Sequence, residues 1–324
     1  MGRITTLATP LEGDTYALTG TKTWISDGDH DLTAQAVHRL LARTPGAPAD
    51  TRGLSLFLAP RLTFDTGIIN RWSVTRLEHK LGLNASPTCV LNFERAIGYR
   101  LGPLKQGLRC MFTMVNLLPL EVSIQGIGIA EAAADKAVRY AEQRLQGGTI
   151  EAPPIRIIEH ADIRRLLLGM QARIRPLRAL IFEVAASLDI VRNAPDADTR
   201  EAALEFAEFL LPGCKTCAAE TAFTVASDAI KIGGGFGYTH DAGIEQPLGD
   251  SRIMAIYEGA SGIQARDLVS RKLLKNGGAR YRRFTARIQH ELASAHGTAE
   301  SAIIDGAASD YLQWVGLVAS GWIL

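Results

Sequence analysis

The chain has 324 residues, which is long enough for one large or two medium-sized domains. Hydrophobic residues make up 47% and charged residues 21%, a composition that excludes a mainly disordered chain. The formal net charge of +1, from 35 basic and 34 acidic residues, argues against a dedicated nucleic-acid-binding protein.

Residues 1–103 have the pattern of a β-rich domain. Short apolar or alternating runs at 16–18, 37–42, 54–59 and 89–93 predict strands, and Gly, Pro and Asp residues between them predict turns. From Gly107 the apolar residues recur at helical spacing, so residues 104–276 predict a helical domain and 277–324 the start of a further helical region. The sequence therefore predicts an α+β protein, a β domain followed by helices.

The predicted helices cover residues 107–146, 158–191, 199–230 and 262–274, and the pattern resumes at Tyr281 with a hinge at Gly297. We expect an interruption or kink near Pro212 and Gly213, because proline lacks the amide hydrogen that a helix interior needs.

Cysteine content and hydropathy point to the cytoplasm. Four cysteines are too few for a disulfide scaffold of this size, and the first ten residues lack the apolar core of a signal peptide. No apolar stretch reaches the roughly 18 residues that a membrane span needs. The seven histidines show no ligand spacing, so we predict no metal site.

Three segments have the residue types of a binding or catalytic site. Trp24, in the run Gly-Thr-Lys-Thr-Trp-Ile-Ser at 20–26, is either a core aromatic or a flat apolar face for a heteroaromatic ring. The glycine cluster at 233–237 is either a helix end with its loop or a backbone cradle for phosphate. Glu258, between Tyr257 and Gly259, is either a solvated acid near a helix start or a desolvated general base.

A fourth segment, Cys-Lys-Thr-Cys at 214–217, resembles a redox or zinc motif only superficially. Such a role needs a second ligand pair or a thioredoxin-like setting, and the sequence offers neither. We interpret these cysteines as small residues on a helix.

Read in chain order, several motifs together resemble the acyl-CoA dehydrogenase family. The resemblance spans about residues 5–275 and is closest to the long bacterial branch that includes 3-methylmercaptopropionyl-CoA dehydrogenase. Its motifs are Thr-Gly-Thr-Lys-Thr-Trp-Ile-Ser at 19–26, Glu-His-Lys-Leu-Gly-Leu-Asn-Ala-Ser-Pro-Thr at 78–88, Gln-Gly-Ile-Gly-Ile-Ala-Glu at 125–131, Gln-Arg at 143–144, the glycine cluster, and Ile-Tyr-Glu-Gly at 256–259.

The resemblance implies a middle β-barrel domain followed by a C-terminal helical bundle, with FAD held across a dimer or dimer of dimers. It implies that Glu258 removes the α-proton of an acyl-CoA while the β-hydrogen leaves as hydride to flavin N5. The product is then a trans-2-enoyl-CoA, and an electron-transfer flavoprotein accepts the electrons. The implied FAD contacts are Trp24, Ile25 and Ser26 at the flavin ring, Lys231, and, at the pyrophosphate of the neighbouring subunit's FAD, Arg144, Gly234, Gly235 and Gly237. The implied substrate contacts are Ser86, Tyr257 and Gly259.

Departures from the family pattern leave alternatives open. From the resemblance we expect Met1 to fall after the N-terminal helical domain of the family and the far end to stop within an extra helical region, as in a fragment or truncated form. Pro119 replaces an arginine at a position expected in mid-helix, Lys231 a glutamine and Ala260 a threonine. The alternatives are a weak or inactive partner subunit that keeps the fold, or a DNA-associated relative, which the charge of +1 disfavours. The acyl-chain length is not specified by the sequence.

Overall fold

A computed structural model describes residues 3–115, 117–274 and 277–295. The chain forms two compact units, which divide between residues 116 and 117. The predicted hinge at Gly297 and the rest of the predicted terminal region beyond residue 295 lie outside the described residues.

The first unit is a closed sheet followed by one helix. Its strands are β1 Leu7–Pro10, β2 Thr15–Ser26, β3 Val37–Arg43, β4 Leu54–Pro60, β5 Trp72–Leu77 and β6 Thr88–Leu101, and helix α1 is Gly107–Val115. The strand order is β2-β1-β3-β4-β6-β5, and a further pairing of β2 with β6 closes the sheet on itself. Five strands thus form a closed ring, to which β5 is added by its pairing with β6, and the β-barrel implied by the resemblance is confirmed.

The interior of the barrel is filled by alternate side chains of its strands. Leu18, Phe57, Leu91 and Phe93 are at most 1% exposed. All four predicted strands are present, whereas β1 and β5 were not predicted. Strand β1 is too short to show a pattern, and most β5 side chains are exposed, so neither strand has the apolar alternation of a core strand.

The second unit is a helical bundle. Its helices are α2 Leu118–Gln143, α3 Ala161–Asn193, α4 Ala197–Gly237, α5 Gln246–Arg252, α6 Ser261–Asp267 and α7 Ala279–Ala295, with a π-helical turn at Leu268–Leu273. A short hairpin of β7 Leu145–Gln146 and β8 Ile155–Arg156 lies between α2 and α3. Within the described ranges, no helix is long and apolar enough to cross a membrane.

Small residues let the three long helices pack closely. Alanines of α2 and α4 form a buried cluster with Met170 and Ile174 of α3, the alanines being Ala130, Ala133, Ala134, Ala137, Ala141, Ala222, Ala226 and Ala229. Gly126 of α2 lies so close to α4 that an added Cβ would be 2.9 Å from the Ala218 carbonyl carbon and oxygen. This contact fixes the spacing of α2 and α4.

Two proline predictions were wrong. Helix α4 continues through Pro212, and the residue inside α4 with non-helical dihedral angles is Gly234. Pro212 is buried, as are Leu211 and Cys214 beside it, and this packing holds the helix together where one hydrogen bond is lost. Pro119 is not in mid-helix but in the first turn of α2, where an amide hydrogen has no helical acceptor, so that its absence in proline costs nothing.

Candidate active site

The turn that carries Glu258 follows a buried anchor. Met254 and Ala255 are 0% and 6% exposed and pack against Val122 of α2 and Ala219 of α4. The chain then leaves the core through Tyr257 and reaches α6 at Ser261. Packing against two long helices therefore fixes the point from which the turn projects.

Both central residues of this turn have left-handed backbone conformations. The φ angle is 49° at Glu258 and 92° at Gly259. A left-handed conformation is unfavourable for a glutamate and is found mainly where the surrounding structure imposes it, often at functional sites. Gly259 has a second constraint, because an added Cβ would lie 2.6 Å from Gln264 Nε2.

Hydrogen bonds from three helices hold the turn. The Tyr257 hydroxyl donates to Gln125 Oε1 of α2, and Gln264 Nε2 of α6 donates to the Glu258 carbonyl over 3.2 Å. The Lys215 ammonium of α4 donates to the Gly259 carbonyl over 2.6 Å. The position of Glu258 is thus set by hydrogen bonds of the residue before it, of its own carbonyl and of the residue after it.

The surroundings of the Glu258 carboxylate favour its protonated form. Partial burial raises the pKa of Glu258, the Lys215 ammonium opposes this rise, and the Glu121 carboxylate of α2 adds to it. The residue as a whole is still exposed to solvent. A carboxylate with a raised pKa on a fixed turn, open on one side, is suited to accept a proton.

Trp24 lies on the outside of the barrel and is not a core aromatic. Strand β2 has one extra residue relative to β6 between Lys22 and Ile25, which is a β-bulge. Within it Trp24 has a φ of 63°, and the residue is 70% exposed. The bulge therefore presents a large aromatic ring to the outside at the cost of an unfavourable backbone conformation.

The other candidates of the first unit lie near this bulge in the same sheet. Ile25 packs on the barrel core, and Ser26, which is exposed, pairs with Thr88 at the end of β2. The Ser86 carbonyl, in the loop before β6, accepts a hydrogen bond from the Lys80 ammonium, which also donates to Thr88 Oγ1 over 2.9 Å. Ser86 therefore lies in the first unit with Trp24, Ile25 and Ser26.

The glycine cluster forms the end of α4. Gly234 has a φ of 58° and a ψ of −143°, a conformation that residues with a Cβ avoid. No atom lies within 4 Å of a Cβ added at Gly234 or Gly235, so this stretch of backbone is open. Gly237 is different, since an added Cβ would lie 2.9 Å from the Ile230 carbonyl oxygen; its role is in packing.

The structure brings Arg144 to the same end of the bundle as the glycine cluster. Arg144 follows α2 directly, and its amide donates to the Tyr140 carbonyl. The Tyr140 ring stacks on Phe236, with centroids 5.8 Å apart and an angle of 17° between the rings. The Arg144 side chain is exposed and has no ion-pair partner among the described residues.

Lys231 and the two cysteines of the Cys-Lys-Thr-Cys segment lie in α4. The Lys231 ammonium bonds Asp228 Oδ1 over 2.9 Å, so its charge is partly neutralised within α4. Cys214 and Cys217 are free thiols of α4, and burial raises the pKa of each to about 12. In the part of the chain that the structure describes, no group of three or more His, Cys, Asp or Glu residues could hold a metal ion.

The residues that hold the Glu258 turn were not predicted from the sequence. Lys215, Gln125 and Gln264 contact it, and Glu121 acts on its charge. Lys215 is 0% exposed, although lysine is a residue type that usually lies at the surface. The one available signal was its place in an apolar helical stretch, where a charge needs a buried partner.

Comparison with known proteins identifies the chain's relatives. The family model of the acyl-CoA dehydrogenase C-terminal domain matches residues 105–274. The chain is 41% identical over 295 residues to 3-methylmercaptopropionyl-CoA dehydrogenase of Ruegeria pomeroyi, covering 89% of this chain and 50% of that protein. It is 30% identical to the broad-specificity linear acyl-CoA dehydrogenase FadE5 of Mycobacterium tuberculosis, covering 100% of this chain and 56% of that protein.

A solved structure has the same fold. The crystal structure of Caenorhabditis elegans ACDH-11 in complex with C11-CoA aligns with a TM-score of 0.78 and 26% identity, covering 90% of this chain and 47% of that one. The chain thus spans about half the length of these relatives. The family model matches more than half of the chain, and the fold agrees; the chain belongs to the acyl-CoA dehydrogenase family.

Proposed function

We propose that the protein dehydrogenates an acyl-CoA thioester to a trans-2-enoyl-CoA, with Glu258 as the base that removes the α-proton. The observation that carries this proposal is the Glu258 carboxylate itself. Its pKa is raised, and hydrogen bonds from three helices hold its turn in a left-handed conformation. A thioester α-hydrogen is weakly acidic, and a carboxylate whose pKa is raised toward neutrality is the stronger base for it.

The backbone of the same turn supplies a donor for the thioester. The Glu258 amide hydrogen has no acceptor among the described residues. A hydrogen bond from this amide to the thioester carbonyl oxygen would stabilise the negative charge that develops there as the α-proton leaves. One turn would thus bind the carbonyl and hold the base.

The chain also has residues that fit FAD. The exposed face of Trp24 suits the isoalloxazine ring, with Ile25 and Ser26 beside it. The open backbone at Gly234 and Gly235 suits the pyrophosphate of the FAD of a neighbouring subunit. Arg144 would add a charge-assisted hydrogen bond to phosphate. When bound, FAD would accept the β-hydrogen as hydride at N5. Ala260, at the start of α6, has no hydroxyl to contribute.

Substrate and partners are proposed at the level of chemical class. We propose an acyl-CoA substrate contacted by Ser86, Tyr257 and Gly259, an electron-transfer flavoprotein as acceptor, and a homodimer or dimer of dimers in the cytoplasm. The relative in Ruegeria pomeroyi is named for a sulfur-containing acyl group, so 3-methylmercaptopropionyl-CoA belongs among the test substrates with butyryl-CoA.

An anaerobic titration tests this function. The protein is purified, loaded with FAD and mixed with each acyl-CoA while the visible absorbance of the flavin is recorded. We expect stoichiometric FAD and loss of the oxidised-flavin absorbance on addition of a substrate. Stoichiometric FAD without bleaching by any acyl-CoA would contradict dehydrogenation and favour an inactive partner subunit.

Replacing Trp24 by glycine is expected to weaken FAD binding without lowering the free energy of unfolding. Trp24 has little buried surface to lose, and glycine adopts its left-handed conformation freely. We therefore expect the free energy of unfolding to be unchanged or raised by about 1 kcal/mol, while FAD affinity falls at least about tenfold with the ring contact. Urea denaturation and flavin titration measure the two effects.

The control for this prediction is Trp72→Gly in the same sheet. Trp72 packs against the barrel core and donates from Nε1 to the Pro60 carbonyl over 2.9 Å, so its loss is expected to destabilise the protein by about 3 kcal/mol. Equal destabilisation of the two variants would show that the exposed position of Trp24 is wrong.

Replacing Arg144 by glutamine is expected to weaken FAD binding roughly 10- to 100-fold, the value of a hydrogen bond to a charged group. Arg139→Gln is the matched control, because Arg139 is an exposed arginine of α2 that is already paired with Asp135. Flavin titration of both variants is the measurement. If Arg139→Gln weakened FAD as much as Arg144→Gln, general surface charge would explain the effect and not a phosphate contact.

A further inference from the structure

Lys215 is an unusual residue for the interior of a helical bundle. Its side chain is completely buried in α4, and its ammonium donates to the Gly259 carbonyl over 2.6 Å. Burial of an ammonium group is costly unless hydrogen bonds and opposite charges compensate for it. Here the turn that carries Glu258 supplies the hydrogen bond and a carboxylate, and Glu220 of α4 supplies a second carboxylate.

The bonded carbonyl belongs to the turn that presents Glu258. Glu258 and Gly259 are both left-handed, and Gly259 is the residue after the carboxylate. The hydrogen bond from Lys215 fixes the peptide group between Gly259 and the next residue. The hydrogen bond from Gln264 fixes the preceding peptide group, between Glu258 and Gly259. Without a donor inside the bundle, the Gly259 carbonyl would be free to rotate, and with it the backbone that presents Glu258.

We propose that Lys215 is a positioning residue for Glu258, which holds the left-handed turn through the Gly259 carbonyl and acts by its charge on the Glu258 carboxylate. This inference rests on the proposed role of Glu258 as the base. Lys215 itself does not contact a reacting atom, since its ammonium is directed to the backbone.

The charges around Glu258 agree with this assignment. Glu121 faces it from α2, Lys215 and Glu220 belong to α4, and Tyr257 precedes it in the turn. Glu220 is paired with Arg252 over 3.2 Å. Burial lowers the pKa of Lys215, and Glu258 and Glu220 counter that effect. Lys215 is thus the positive charge that opposes the rise in the pKa of Glu258.

The sign of the effect follows directly. Removing the Lys215 charge leaves partial burial and Glu121 to act on Glu258, so the pKa of Glu258 rises further. The base is competent only when ionised, and therefore the pH at which α-proton removal reaches half its maximum moves upward. A role limited to packing would lower activity at every pH without moving this midpoint.

The test compares Lys215→Met and Lys215→Gln with the unsubstituted full chain. Carboxyl ¹³C NMR follows the titration of Glu258, whose resonance is assigned by its loss in Glu258→Gln, and deuterium exchange at the acyl-CoA α-carbon gives the pH profile of the base. We expect Lys215→Met to raise both midpoints by about one pH unit. We expect Lys215→Gln, which keeps a donor but not the charge, to raise the NMR midpoint as well.

Lys136→Met is the matched control, since the Lys136 ammonium also donates to a glycine carbonyl, that of Gly243, at another place in the bundle. It is expected to leave the Glu258 midpoint unchanged. An unchanged midpoint in both Lys215 variants overturns the proposal, and if Lys215→Met does not fold, the glutamine variant decides. Absence of exchange in the unsubstituted protein would contradict the proposed function alone, because the NMR titration needs no turnover.

Discussion

The Glu258→Gln variant is expected to bind FAD and acyl-CoA and to exchange the α-hydrogen of the bound thioester about 10²- to 10⁴-fold more slowly than the unsubstituted protein. Glutamine has nearly the size of glutamate and keeps the backbone amide that would bind the carbonyl, but its side chain cannot accept the proton. The measurement is deuterium incorporation at the α-carbon of an acyl-CoA in D₂O. Unchanged incorporation would contradict the role of Glu258.

Glu121→Gln is the control for this prediction. Glu121 raises the pKa of Glu258 from α2, so its neutral replacement is expected to lower that pKa and to move the exchange profile to lower pH. Exchange itself is expected to persist. Loss of exchange in Glu121→Gln as complete as in Glu258→Gln would assign the base to the wrong carboxylate.

The second large effect is expected where α2 and α4 meet. An added Cβ at Gly126 would be 2.9 Å from the backbone carbonyl carbon and oxygen of Ala218, and neither atom can rotate away as a side chain could. Gly126→Ala is therefore expected to lower the free energy of unfolding by about 1–3 kcal/mol, the usual cost of overpacking a core.

Gly128→Ala, two residues along the same helix, is expected to have the opposite effect. No atom lies within 4 Å of its added Cβ, and alanine is favoured over glycine in a helix by about 1 kcal/mol. Chemical denaturation of the two variants gives the comparison. Equal stabilisation by both substitutions would mean that α2 and α4 are not in contact at Gly126.

The change of apolar period near Gly107 predicted a β domain followed by helices, and the resemblance to the acyl-CoA dehydrogenase family added the barrel and the bundle. Prediction from the sequence failed where one tertiary contact decided the outcome. Helix α4 passes through Pro212 because packing compensates for the lost hydrogen bond, and the non-helical residue is Gly234. Pro119 does not disrupt α2 because the helix begins next to it. A periodic pattern predicts the ends of a helix less well than its existence.

The candidate site was predictable only in part. Glu258 was identified through its motif, but the pattern did not show that its turn is left-handed or that Lys215 holds it, because Lys215 and Gly259 are far apart in sequence. The exposure of Trp24 depends on a bulge created by one extra residue in β2 relative to β6. The register depends on how the two strands pair, so it cannot be predicted from the sequence of either strand alone.

Product analysis after one anaerobic turnover tests the proposed reaction most directly. The FAD-loaded protein is mixed in D₂O with an acyl-CoA fully deuterated at its α- and β-carbons, so that exchange at the α-carbon does not remove the label, and the thioester product is identified by mass. Dehydrogenation by Glu258 and flavin predicts a trans-2-enoyl-CoA that has lost one deuterium from each carbon. Recovery of the saturated thioester with all of its label, in protein that carries stoichiometric FAD, would contradict it.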